Sequence, residues 1–106
     1  MTRIYMANNV IDRLVDGVCV LSAAFCDKEG FSIYRTSNEF SPNAVSEILD
    51  YSNESELTTI VGEINTVMIL RIQSGHFIVI QCPNNSNFGK ARQKLRLAGT
   101  EIIAFL

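Results

Sequence analysis

The sequence predicts an α/β (α+β) domain with the element order α-β-β-α-β-β-β-α and one five-stranded antiparallel sheet in the order 2-1-5-4-3, helices on both faces. Three observations predict it. Three segments repeat apolar residues at helical spacing. Three of the five strand segments are apolar almost without a break, which marks strands covered on both sides. Short turns join the first two strands and the last three, and such turns allow only antiparallel pairing. The two remaining strands, the second and third, carry polar residues and fall at the edges.

The first helix is read over residues 2–15, where Ile4, Ala7, Val10, Ile11 and Leu14 form one stripe. Asp16 and Gly17 close it, the glycine as a left-handed cap. VCVLSAAF, residues 18–25, follows as an unbroken apolar strand. Cys26-Asp27-Lys28-Glu29-Gly30 is a hairpin turn, and Gly30 can take positive φ. FSIYRT then alternates Phe31 and Ile33 against Ser32 and Arg35, the pattern of a half-buried edge. Ser41 and Pro42 open a second helix over residues 42–52, because serine caps and proline fits the first turn. Ala44, Val45, Ile48 and Leu49 form its apolar face. LTTIVGEI at 57–64, TVMILRI at 66–72 and HFIVIQC at 76–82 make the meander, with turns at Asn65 and at Gln73-Ser74-Gly75. Asn85, Ser86 or Asn87 caps a last helix whose apolar positions are Phe88, Ala91, Leu95, Ala98, Ile102 and Phe105. That register runs through Gly99, so one helix is expected to about residue 105.

With 106 residues, 47% apolar and 19% charged, the chain is a single domain, 1–106, with enough apolar content for a core. A net charge of −2 excludes nucleic-acid binding by bulk charge. No apolar run approaches membrane-spanning length, so no direct membrane insertion is expected. The first ten residues lack the basic-then-apolar layout of a secretory signal, and a cytoplasmic protein is expected. Three cysteines cannot form a full disulfide framework.

The chemistry-bearing residues do not assemble into a catalytic set. Cys19, Cys26, His76 and Cys82 are spaced by 7, 50 and 6, without the close pair of a zinc finger. His76 and Cys82 share a strand and stand roughly 20 Å apart, too far for a nucleophile–base dyad. The thiols read as small buried hydrophobes, with Cys26, at a strand end, the first to react with a labelling reagent. Gly89-Lys90 resembles the end of a phosphate loop. Asn84 stands where that loop needs glycine, and Ala91 where it needs Ser or Thr. Lys90, Arg92, Lys94 and Arg96 flank the last helix's apolar stripe on both sides and do not form one basic patch. Asp27 with Glu29 and Glu54 with Glu56 are solvated loop carboxylates. Asn53-Glu54-Ser55 and Asn84-Asn85-Ser86 match the glycosylation sequon without a secretory context. No catalytic residue, cofactor or metal is expected.

What stands out is the third strand. Proteins blunt exposed sheet edges with charge or proline, and here only Glu63 does so. That edge, beside the helix at 42–52, predicts pairing with another chain. The expected interface is Val45, Ile48, Leu49, Leu57, Thr59, Ile60 and Val61.

The ordered set resembles the Roadblock/LC7 domain in its prokaryotic, longer-helix form. The residues that carry the likeness are Gly17-Val18 with Asp27 and Gly30, the meander TVMILRI with HFIVIQC, and Asn87-Phe88-Gly89-Lys90-Ala91-Arg92, similar to an Asn-x-Gly-x-x-Arg helix opening. The resemblance covers nearly the whole chain and implies a profilin-like fold. It implies a non-catalytic dimer, of this chain with itself or with a paralogue, whose sheets join through the third strand. It also implies a small Ras-like GTPase as the regulated partner, or passive service in a motor or membrane-signalling complex. Asn43, Ser46, Glu47 and Asp50, on the outer side of the second helix, are then the expected partner-binding platform. A small-molecule sensor of the PAS, GAF or profilin-like kind is the competing reading. The bulky runs Val67 to Leu70 and Phe77 to Ile80 argue for a filled core against it.

Overall fold

The computed structural model describes residues 2–37 and 56–106, with side chains from Tyr5 onward. The helix expected at 42–52 lies outside the described residues. So do Asn43, Val45, Ser46, Glu47, Ile48, Leu49 and Asp50.

Helix α1 spans Thr2–Leu14, and its stripe Ala7, Val10, Ile11 and Leu14 is buried. Five strands follow: β1 (Ser22–Cys26), β2 (Ser32–Arg35), β3 (Leu57–Val61), β4 (Asn65–Arg71) and β5 (Phe77–Pro83). Helix α2, Phe88–Ile103, closes the chain. Every strand pair is antiparallel, and the sheet order is β2-β1-β5-β4-β3, as the polarity of the strands predicts.

Alternation across the sheet sorts the core into two layers. On one face Ala23, Phe25, Met68, Leu70, Ile78 and Ile80 meet α1 and α2, which contribute Ile11, Leu14, Ala91, Leu95, Ala98 and Ile102. We call this the helix face. The opposite face carries a second cluster of Ala24, Cys26, Ile69, Phe77 and Val79. Both described helices sit on the helix face. Each fully buried leucine or isoleucine there contributes about 1.5–3 kcal/mol of burial free energy.

Close packing explains Gly99. A methyl group there would come within 2.8 Å of Leu70 Cδ2 and 3.2 Å of Ile72 Cγ2, so the glycine sets how near α2 lies to β4. The helix continues through it, and Asn87 Oδ1 caps the first turn by accepting the Lys90 N–H at 3.0 Å.

Two boundaries and one accessibility differ from the sequence reading. Residues 18–21 are not strand, and Val18 is 71% exposed. The cause is Asp16, whose Oδ1 accepts the N–H groups of Val18, Cys19 and Val20 at 2.8, 2.8 and 3.0 Å. Those donors are therefore withdrawn from any ladder, and Gly17 takes φ +76° to let the chain fold round the carboxylate. Second, β3 ends at Val61, because the Gly62 N–H already turns back to the Asn65 carbonyl at 2.9 Å. Third, Cys26 is buried and not the most accessible thiol. Its exposure is 0%, against 6% for Cys19.

Candidate interaction edge

The two sheet edges differ. β2 has four residues, includes Arg35, and pairs irregularly with β1, Phe25 opposing Tyr34 while Cys26 opposes Ser32. Ile33 is thus an extra residue that breaks the outer profile, a common way to blunt an edge. The Tyr34 hydroxyl also donates to Asp12 Oδ1 at 2.6 Å and ties this edge to α1. β3 has five residues in unbroken register with β4, from Leu57↔Leu70 to Val61↔Thr66. No described strand pairs with its outer side.

Main-chain alternation fixes what that side offers. The Arg71 N–H donates to the Glu56 carbonyl at 2.8 Å and the Gly62 N–H to the Asn65 carbonyl at 2.9 Å. In an antiparallel ladder the residues between them alternate, so Thr58 and Ile60 also turn their main-chain groups to β4. Leu57, Thr59 and Val61 turn theirs outward. The same three side chains lie on the helix face, opposite Leu70, Met68 and Thr66. Ile60 lies on the other face, packed against the second cluster. The predicted residues Leu57, Thr59, Ile60 and Val61 therefore share one strand but divide between two faces.

The end of β3 and the turn Gly62-Glu63-Ile64 that follows it expose two apolar side chains, Val61 at 70% and Ile64 at 79%. Asn84 holds this turn. Its amide donates to the Gly62 carbonyl at 2.8 Å, and its Oδ1 accepts from Thr66 Oγ1 at 2.7 Å. Sequence reading placed Ile64 inside the strand and missed Asn84 as its anchor. Asparagine beside Pro83 was the only available signal.

At the other end of β3 an open groove of about 750 Å³ runs between α2 and β4 on the helix face. Leu70, Ile72, Gly99 and Ile103 give it an apolar floor. Arg96 and Glu56 stand at its side, joined by an exposed ion pair at 2.8 Å.

Elsewhere the polar groups are structural. Lys94 Nζ reaches Asp16 Oδ2 at 3.0 Å. Partial burial works against ionisation of Asp16, but the three N–H donors and Lys94 outweigh it and hold the carboxyl well below the usual range. Burial, then the charge of Asp27, pushes the Cys26 thiol up to about 11. Burial, with smaller effects from Cys19 and Asp16, does the same for Cys82. His76 stacks on Phe25 with ring centroids 5.1 Å apart and shares a hydrogen bond with Ser74. Among the described residues no group of three or more His, Cys, Asp or Glu side chains could hold a metal ion, and no helix is long and apolar enough to cross a membrane.

The architecture has close counterparts among solved structures. An MglB with a tetrameric arrangement superposes with a TM-score of 0.83 at 10% identity, over 99% of this chain and 90% of that one. The Roadblock/LC7 domain from Streptomyces avermitilis gives 0.73 at 8% identity, over 92% and 95%. This chain has the Roadblock/LC7 fold. LokiProfilin1, solved with rabbit actin, reaches 0.73 at 14% identity over 96% and 97%, so the Roadblock/LC7 architecture here shares its plan with profilins. No protein-family model matches the sequence, and no curated protein does.

Proposed function

We propose that this protein is a non-catalytic dimeric scaffold that binds and regulates a small Ras-like GTPase in the cytoplasm. The observation that carries the reading is a Roadblock/LC7 fold whose β3 edge is regular and unpaired among the described residues. An edge of this kind invites a partner strand, from a second copy or from a paralogous Roadblock domain. Val45, Ile48 and Leu49 would then bury beside Leu57, Thr59, Ile60 and Val61. Asn43, Ser46, Glu47 and Asp50 would give the dimer a polar, acidic surface. Such a surface suits a basic patch on the GTPase and speeds encounter.

The test is a pull-down of a candidate GTPase in its GDP-bound and GTP-bound states. Wild-type protein should retain it in at least one state. The Glu47→Lys, Asp50→Lys double variant should retain at least tenfold less. Absence of binding in both states overturns the GTPase half of the reading. The protein alone should not hydrolyse GTP.

A sensor of small molecules is the second reading, and the groove beside Arg96 is what favours it, since about 750 Å³ lies in the range of ligand pockets. A small molecule retained through native mass spectrometry would decide for it.

A further inference from the structure

From the placement of the three thiols we infer that Cys19 and Cys82 form an oxidation-sensitive pair, which a hydroperoxide converts into an intramolecular disulfide that pins the α1–β1 loop to the end of β5. All three cysteines are reduced and buried. The sheet sorts them. Cys19 and Cys82 belong to the cluster on the helix face, whereas Cys26 belongs to the cluster on the opposite face. Cys26 also stands opposite Phe77, at the far end of β5 from Cys82 and roughly 17 Å away at strand rise. Strand pairing carries the other two toward each other. Ser22 stands opposite Gln81, and the Leu21 N–H extends that pairing to the Gln81 carbonyl at 2.8 Å. Cys82 is the next residue on β5, and Cys19 comes just before Val20 and Leu21. Charge on Cys19, Asp16 or Lys94 acts on the Cys82 thiol, as expected of a side chain beneath the loop that Asp16 holds.

Their surroundings give the two thiols different roles. Cys19 is 6% exposed, against 0% for Cys26 and Cys82, and its neighbour Val18 stands in solvent. A water-sized oxidant therefore meets Cys19 first. Burial pushes the Cys82 thiol up to about 11, which makes it a poor first nucleophile. The Cys19 sulfur, as thiolate, attacks a peroxide oxygen. An S–O bond forms, the O–O bond breaks, and the leaving hydroxide takes up the thiol proton as water. Cys19 is thereby oxidised to a sulfenic acid and the peroxide is reduced. The Cys82 sulfur then attacks the Cys19 sulfur. The S–S bond forms, the S–O bond breaks, and the sulfenic oxygen leaves with the Cys82 proton as a second water. A disulfide needs Cα atoms within about 6.8 Å. The loop can supply the adjustment, because hydrogen bonds to Asp16 Oδ1 and to the Val20 carbonyl are what shape it.

Mass spectrometry of the full chain tests the pair. After hydrogen peroxide in modest excess, under non-reducing conditions, the wild type should lose two hydrogens without forming a covalent dimer and regain them with dithiothreitol. Trypsin should then leave peptides 14–28 and 72–90 joined, and fragmentation should assign the bridge to Cys19 and Cys82. Cys26→Ala should keep the bridge and Cys19→Ser should lose it. In the oxidised protein the loop is held covalently, so Asp16→Ala should lower the unfolding midpoint by less than about half as much as in the reduced protein. Three intact thiols after treatment, a bridge through Cys26, or a covalent dimer overturns the pair. An equal effect of Asp16→Ala in both forms overturns the pinning of the loop.

Discussion

Asp16 does more than its neighbours suggest. One carboxylate oxygen receives three backbone N–H groups while the other receives Lys94, so one side chain closes α1, shapes the loop to β1 and binds α2. A turn was legible from Asp-Gly, but the capture of residues 18–20 was not. VCVL reads as strand on hydropathy, and hydropathy is blind to a local side chain that competes for the backbone. Removing the acceptor in Asp16→Ala should cost about 1–2 kcal/mol, the size of a lost helix cap, as read by urea unfolding. The pH dependence has a defined sign. The folded pKa lies below the unfolded value of 3.8, so the stabilisation is full above that value and is lost as pH falls toward the folded one. Wild-type stability should therefore begin to drop below about pH 5 and fall most steeply below about pH 4, faster than that of Asp16→Asn. Parallel slopes would show that the charge contributes nothing. The thiols lend themselves to a similar measurement. Native protein should resist labelling at Cys26 and Cys82, both buried and raised to about 11. Modification at Cys26 ahead of global unfolding would contradict its place in the second core layer.

At the scale of elements, α2 and β4 show what periodicity reveals and what it hides. The stripe Ala91, Leu95, Ala98 and Ile102 was legible, and so was the continuity of the helix past Gly99. The reason for the glycine was not, because closeness to Leu70 and Ile72 is a property of two distant segments. Helix propensity alone favours Gly99→Ala by about 1 kcal/mol. Contact opposes it, but Leu70 Cδ2 is the end of a flexible side chain lining the groove and can swing into that space. The balance should leave Gly99→Ala within about 1 kcal/mol of wild type in denaturant unfolding. Gly99→Val adds branched bulk against the stiffer Ile72 and should destabilise by about 1–3 kcal/mol. Equal stability of the two variants would mean that α2 does not sit as close to β4 as described. The strand ends obey the same lesson. β3 stops at Val61 because Gly62 and Asn65 close the turn and Asn84 braces it, a contact 22 residues apart that no local pattern announces.

For the whole molecule, strand order was the most legible feature. It follows from which segments have a polar side and which loops are short, and both are written locally. That β3 lies at a sheet edge was legible too, but the division of its residues between faces needed the register against β4. That register makes a paired experiment possible. The Thr59 N–H points away from β4, whereas the Ile60 N–H points toward it. Proline removes the N–H in either place and is tolerated in strands only where that group is not used within the sheet. Thr59→Pro should therefore keep its folded circular dichroism spectrum and lose little stability. Ile60→Pro breaks a ladder bond and leaves its acceptor unpaired, and should cost about 1–3 kcal/mol. Self-association separates the two effects. With that outward donor gone, Thr59→Pro should sediment as a monomer at concentrations where the proposed wild-type dimer forms. A Thr59→Pro protein that remains folded and dimeric would show that the partner does not add to β3, and would move the interface to another surface.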